Sequence, residues 1–131
     1  MSRNAQKRNA GKRRGARMKV VRKGERGTYV PPGHDAKVKA EKLFDPSNGC
    51  VKVDVHVTTF EAHCGMEEEV HESSDHVLYV LEGTLTVRQG GVVVAHLSKG
   101  DSIHIPAGEA HQVENGTNRS ATIVTVTVPP A

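Results

Sequence analysis

Gly100-Asp101-Ser102-Ile103-His104-Ile105-Pro106-Ala107-Gly108-Glu109-Ala110-His111 is the segment from which the architecture of this 131-residue chain is read. Continued to Asn115, it spaces its key residues regularly. Five residues separate Gly100 from Pro106, one separates Pro106 from Gly108, two separate Gly108 from His111, and three separate His111 from Asn115. Pro106 presets its φ and gives up a ladder donor where a strand ends, while Gly108 accepts positive φ, so the chain turns there and delivers His111 inward. His111 is in phase with Val113 and is expected on the apolar side. His104 is out of phase with Ile103 and Ile105, which makes it a surface, interface or supporting group.

The same punctuation runs through the chain from Thr28. Pro31-Pro32-Gly33 is a loop, residues 37–44 form a strand, and Asp45-Pro46-Ser47-Asn48-Gly49 is a turn. Val51, Val53, Val55 and Val57 then alternate with Lys52, Asp54 and His56, which predicts a half-buried strand with His56 on the face away from the valines. Further strands are predicted over 77–81, 84–88, 92–97, 101–105, 110–114 and 121–128, separated by glycine-bearing turns. Many short strands and no convincing helix define an all-β sandwich or barrel.

The spacing over residues 100–115 resembles the second conserved motif of the cupin family. Glu69-Val70-His71, followed by His76-Val77-Leu78-Tyr79-Val80-Leu81-Glu82-Gly83, resembles the first, whose usual form is His-x-His, a gap of three or four, Glu, and a strand closing in Gly. Anchored on Tyr79 to Gly83, the two usual histidines fall at Glu69 and His71, and the usual glutamate falls at His76. The ligands are permuted, since Glu69, His71, His76 and His111 again make three imidazoles and one carboxylate. Glu69 and His71, two residues apart, can share a strand face, and His76 is in phase with Leu78 and Val80. Glu67 has the same parity as Glu69, and Glu67-Glu68-Glu69 also reads as a solvated acidic run.

This resemblance covers residues 37–128. It implies a double-stranded β-helix, or jelly-roll, barrel with a metal inside, commonly as a homodimer. Imidazole with carboxylate suits one divalent ion of manganese, iron, nickel, cobalt or zinc, and the sequence does not choose among them.

Charge divides the chain. Residues 1–26 hold eleven Lys and Arg against Glu25 alone, a net of +10, whereas the remainder has 7 basic and 14 acidic residues, a net of −7. Residues 1–26 are therefore expected to be a disordered basic arm on an acidic barrel domain of residues 27–131. Met18, opening Met-Lys-Val-Val, is an alternative start. Such an arm could touch nucleic acid, but short basic arms commonly just solvate, and no DNA-binding helix pair is recognisable. Cys50 and Cys64 fit neither a disulfide framework nor a paired-cysteine zinc motif, and free thiols suit a reducing cytoplasm. No apolar run reaches transmembrane length, and the basic start lacks a secretory apolar stretch.

Four protein ligands leave an octahedral metal two positions for a substrate. The expected function is thus a metal-dependent enzyme acting on a small oxygenated substrate, a keto or hydroxy acid or an enol, as dioxygenase or as isomerase or lyase. The alternative is a non-catalytic barrel that binds or senses a small ligand. Glu72, Ser73 and Ser74, between two proposed ligands, are within reach of acid–base roles or are simply a solvated turn.

Overall fold

The computed structural model describes residues 17–131. Among them, ten strands form two antiparallel sheets. The larger sheet has the order β1 (Thr28–Tyr29), β2 (Val38–Phe44), β3 (Asp54–Phe60), β10 (Ala121–Val128), β5 (Asp75–Glu82), β8 (Ser102–Ile105). The smaller runs β4 (Cys64–Gly65), β9 (Gln112–Asn115), β6 (Thr84–Gln89), β7 (Val92–Ser98). This is the expected all-β jelly roll; among the described residues, helix is limited to two three-residue 3-10 turns at Lys23–Glu25 and Pro46–Asn48.

Alternation along the strands builds a single core between the sheets. In β5, His76, Leu78 and Val80 are buried while Val77, Tyr79 and Leu81 are exposed. Leu85 and Val87 of β6, Leu97 of β7 and Val113 of β9 meet them from the smaller sheet. Between β5 and β6 the chain reverses at Gly83, whose φ is +80° and whose missing Cβ would lie 2.6 Å from the Ser120 carbonyl oxygen and 2.7 Å from Ala121 Cα. Only glycine satisfies both the dihedral and that approach.

One strand faces opposite to its expected direction. Val51 is 67% exposed and precedes β3, which begins at Asp54. Within β3 the buried positions are Thr58 and Phe60, so Asp54 and His56, in phase with them, point inward and the valines do not. The reason is local: this end of the barrel interior is a cavity of mixed lining, and the inward face of the strand there carries hydrophilic side chains. β10 repeats the arrangement, with Ala121, Ile123, Thr125 and Thr127 buried in alternation with Val124 and Val126.

The first 16 residues of the expected basic arm lie outside the described residues. Within residues 17–26, Lys19 and Arg26 make polar contacts with the domain. Lys19 Nζ donates to the Asn48 carbonyl at 2.8 Å, and the Arg26 guanidinium lies 3.6 Å from the Glu41 carboxylate.

Candidate metal centre

Backbone pairing, not sequence proximity, gathers the site. Glu69 and His111 form an isolated antiparallel bridge in which each amide donates to the other's carbonyl at 2.9 Å. Directly opposed residues in such a pair point to the same face, so these two side chains project together. The Gly108 amide, in a turn where φ reaches +84°, donates to the His71 carbonyl at 2.9 Å and ties the second motif to the first. His76 arrives from β5 in the opposite sheet.

The three imidazoles converge. Each offers a donor atom within 4.8 Å of the other two, and the His71 and His76 rings meet edge to face with centroids 4.2 Å apart. His71 Nε2 lies 3.0 Å from Glu69 Oε1. That is hydrogen-bond distance, and the Glu69 carboxylate stands beside the cluster, outside the three donor atoms that lie within 4.8 Å of one another.

Hydrogen bonds on the outer ring nitrogens fix the orientation. His111 Nδ1 sits 3.1 Å from the Glu109 carbonyl, which only accepts; the proton is therefore on Nδ1 and the Nε2 lone pair is left for the cavity. Thr127 Oγ1 holds His76 Nδ1 at 2.8 Å. Such outward partners are what orient metal-binding imidazoles. Burial, followed by the charges of His71, His111 and His56, pushes His76 down to about 4, so its ring is neutral at pH 7. A neutral imidazole is the form that binds a metal, and the cluster is compatible with a metal site.

That depressed value has a consequence for the metal-free fold. As pH falls from the ordinary 6.5, the unfolded chain takes up the His76 proton first, and the folded chain follows only near pH 4. Acidification across that window favours unfolding, and below it the contribution levels off. Chelated protein should therefore show a lower urea midpoint at pH 5 than at pH 7, with a smaller drop in His76→Gln. An equal drop in the variant would remove His76 as a cause.

The neighbouring sequence candidates are placed elsewhere. Glu67 is exposed, and Glu68 turns away to accept from the Gly90 amide. Glu72 and Ser73 are exposed and do not line the cavity, while Ser74 is buried and donates to the Pro129 carbonyl at 2.7 Å. His104 is exposed and pairs with Asp75 at 2.9 Å. Both cysteines are free, and burial raises the Cys64 thiol, which donates to the Glu61 carbonyl.

Two histidines that spacing alone did not single out line the same cavity, whose volume is about 270 Å³. His34 Nδ1 is bonded to the Pro32 carbonyl at 2.9 Å and lies 4.0 Å from Glu69 Oε2. His56 Nδ1 is bonded to Asp54 Oδ1 at 2.8 Å. The signal that could have found His56 is its alternation with Thr58 and Phe60 instead of with the valines. Phe60, Met66, Leu78, Val113 and Ile123 supply the apolar lining.

A two-sheet jelly roll with a histidine cluster between its sheets defines a class, and the comparison with known families agrees: the cupin-domain profile matches residues 56–127, and the chain belongs to the cupin family. Among individual relatives, TcmJ, a tetracenomycin polyketide synthase protein of Streptomyces glaucescens, is 37% identical over 57 residues, 44% of this chain and 38% of that protein. The match thus spans well under half of that relative's length. The structure resembles the polyketide cyclase RemF from Streptomyces resistomycificus, with a TM-score of 0.74 and 23% identity over 86% of this chain and 80% of the other. It also resembles a predicted oxalate decarboxylase from Thermotoga maritima, with a TM-score of 0.73 and 20% identity over 86% of this chain and all of the other. Both structural likenesses are likenesses of fold.

Proposed function

We propose that this cupin is a metal-dependent enzyme, holding one divalent ion through Glu69, His71, His76 and His111 and acting on a small oxygenated substrate of the keto-acid, hydroxy-acid or enol type. The observation that carries this reading is the convergence of three imidazoles on one partly apolar cavity that Glu69 also lines, with the outer ring nitrogens of His76 and His111 already engaged. A divalent ion there supplies Lewis-acid polarisation of a carbonyl or enol oxygen. The chain's own residues do the rest. Phe60, Met66, Leu78, Val113 and Ile123 seat the carbon skeleton and exclude water, and Thr125 offers a hydroxyl along one wall. The names of TcmJ and RemF point toward polyketide substrates, and that of the predicted oxalate decarboxylase toward small acids.

The finer assignments follow the same reading. The enzyme is an isomerase or lyase, or a dioxygenase if the metal is iron. It works in the cytoplasm as a homodimer, for which the exposed Val77, Tyr79 and Leu81 of β5 offer an apolar face. No helix among the described residues is long and apolar enough to cross a membrane.

Elemental analysis of untagged protein tests the centre directly, with about one divalent ion per chain expected, as a mononuclear site requires. Turnover of a panel of keto and hydroxy acids, followed by NMR and with an oxygen electrode, should stop on chelation and return with added metal. Folded protein that stays metal-free at saturating manganese, iron, nickel, cobalt and zinc would defeat the proposal.

A further inference from the structure

We propose that His56, oriented by Asp54, is the proton acceptor of this cavity, and that the chemistry run there is removal of a proton from the carbon beside a carbonyl. The inference rests on the metal-dependent reading above and narrows it to the isomerase or lyase branch. Its starting point is an oddity of β3. Asp54 and His56 occupy inward positions in phase with Thr58 and Phe60, where an ordinary barrel strand would place apolar side chains. They are only partly covered, with side-chain exposures of 25% and 18%, so neither is needed to fill the core.

The pair has the geometry of an oriented base. Asp54 Oδ1 lies 2.8 Å from His56 Nδ1, and a carboxylate only accepts, so the proton sits on Nδ1 and the Nε2 lone pair is free. When Nε2 takes up a proton, the resulting imidazolium faces the Asp54 carboxylate, which stabilises it and holds the ring in place. β10 separates this pair from the histidine cluster. On one side of that strand Thr125 stands opposite His56 and Thr127 opposite Asp54; on the other side Thr125 stands opposite Leu78 and Thr127 opposite His76. Strands two apart are about 10 Å apart at the backbone, and both sets of side chains reach inward from there. A substrate of a few atoms can therefore lie between the cluster and His56.

Other groups around the cavity are less suited to the task. Lys42, opposite His56 on β2, has its ammonium engaged by Asp45 and Ser47. Burial and the charges of Asp54 and Asp45 push the Tyr29 phenol up, so it keeps its proton. His34 is anchored on a backbone carbonyl and has no carboxylate in hydrogen-bond contact to stabilise its charged form.

The step balances without an oxidant. The C–H bond beside the carbonyl breaks, its proton bonds to His56 Nε2, and its electron pair forms the C–C double bond as the carbonyl oxygen takes the negative charge. Return of the proton to a different carbon isomerises the substrate. In heavy water, the proton on Nε2 exchanges with solvent for a deuteron, and return of that deuteron to the same carbon labels the substrate.

Pyruvate in heavy water is the probe, with loss of its methyl proton signal followed by NMR in the full, metal-loaded chain. Wild-type protein should catalyse exchange above free metal. His56→Gln should lower it about 100-fold or more, the usual contribution of a general base, with metal content and melting temperature unchanged. Asp54→Asn should lower it less and move its pH profile, and added imidazole should partly restore His56→Gly. A readout independent of turnover is the ring nitrogen spectrum, which should show His56 protonated on Nδ1 and should lose that preference in Asp54→Asn, with or without metal. Exchange at the wild-type rate in His56→Gln, metal loss in that variant, or no exchange by metal-loaded wild type overturns the assignment, as does a ring spectrum indifferent to Asp54→Asn. Metal analysis of the wild type judges the proposed centre separately, because the variants are compared only at matched metal content.

Discussion

His111→Ala should cost the protein its metal while leaving a β-rich fold. His111 is buried, its Nδ1 proton is committed to the Glu109 carbonyl, and its backbone is paired on both sides with Glu69. If the proposed centre is right, the substitution removes one ligand without disturbing the bridge that positions Glu69, because the bridge is made by main-chain atoms. Removing only a supporting hydrogen bond at a metal site typically weakens binding 10–100-fold, so loss of the ligand itself should exceed about 100-fold. Thr127→Val, which takes away the hydroxyl beside His76 Nδ1, should fall within the smaller range. Glu69→Gln should also weaken binding, since a neutral amide would replace an anion, whereas the exposed Glu67→Gln should have little effect. Metal content by elemental analysis and far-ultraviolet circular dichroism check the series. Full stoichiometry in His111→Ala, or equal damage from Glu67→Gln and Glu69→Gln, would remove these residues from the centre.

The strands were legible because turns announce themselves. Gly83, Gly90 with Gly91, Gly100 and Gly108 all adopt positive φ, and each lies at a boundary the sequence already marked. The two-residue strands β1 and β4 were not visible, being too short to show alternation. The direction of β3 was misread for a physical reason. Alternation identifies the face that is apolar, and where a strand turns polar side chains toward an internal cavity the inward face is the other one. His56 and Asp54 were missed through that same rule, a case in which local pattern fails where function intervenes. The choice between Glu67 and Glu69 was also beyond sequence parity, since both share a face on an extended strand. The pairing of Glu69 with His111, distant in the chain, places its carboxylate beside His71, and no local pattern encodes that contact.

The second motif does structural work as well as chemical work, and Asn115→Ala should expose it. Asn115 is 1% exposed, and its amide nitrogen donates to the carbonyls of Phe60 and Glu61, both at 3.1 Å, and of Arg119 at 2.6 Å. Its side-chain oxygen accepts from the Thr117 amide at 3.0 Å and the Thr117 hydroxyl at 2.7 Å. One side chain thus joins the end of β3 to the turn between β9 and β10. Alanine fills neither the space nor the hydrogen bonds, and with several buried groups left unpaired at about 1–3 kcal/mol each, partly offset by water, a loss of about 3–5 kcal/mol is expected. For a domain of this size that corresponds to a fall of roughly 10–20 °C in melting temperature. Asn115→Asp should also destabilise, because a carboxylate accepts where three carbonyls require a donor. Since Asn115 shares β9 with Val113 and follows His111 by four residues, the loosened strand should weaken metal binding too. That loss should be recovered on cooling, unlike the loss in His111→Ala. A melting temperature within about 3 °C of wild type, equivalent to less than about 1 kcal/mol, would mean that this network contributes little to holding the sheets together.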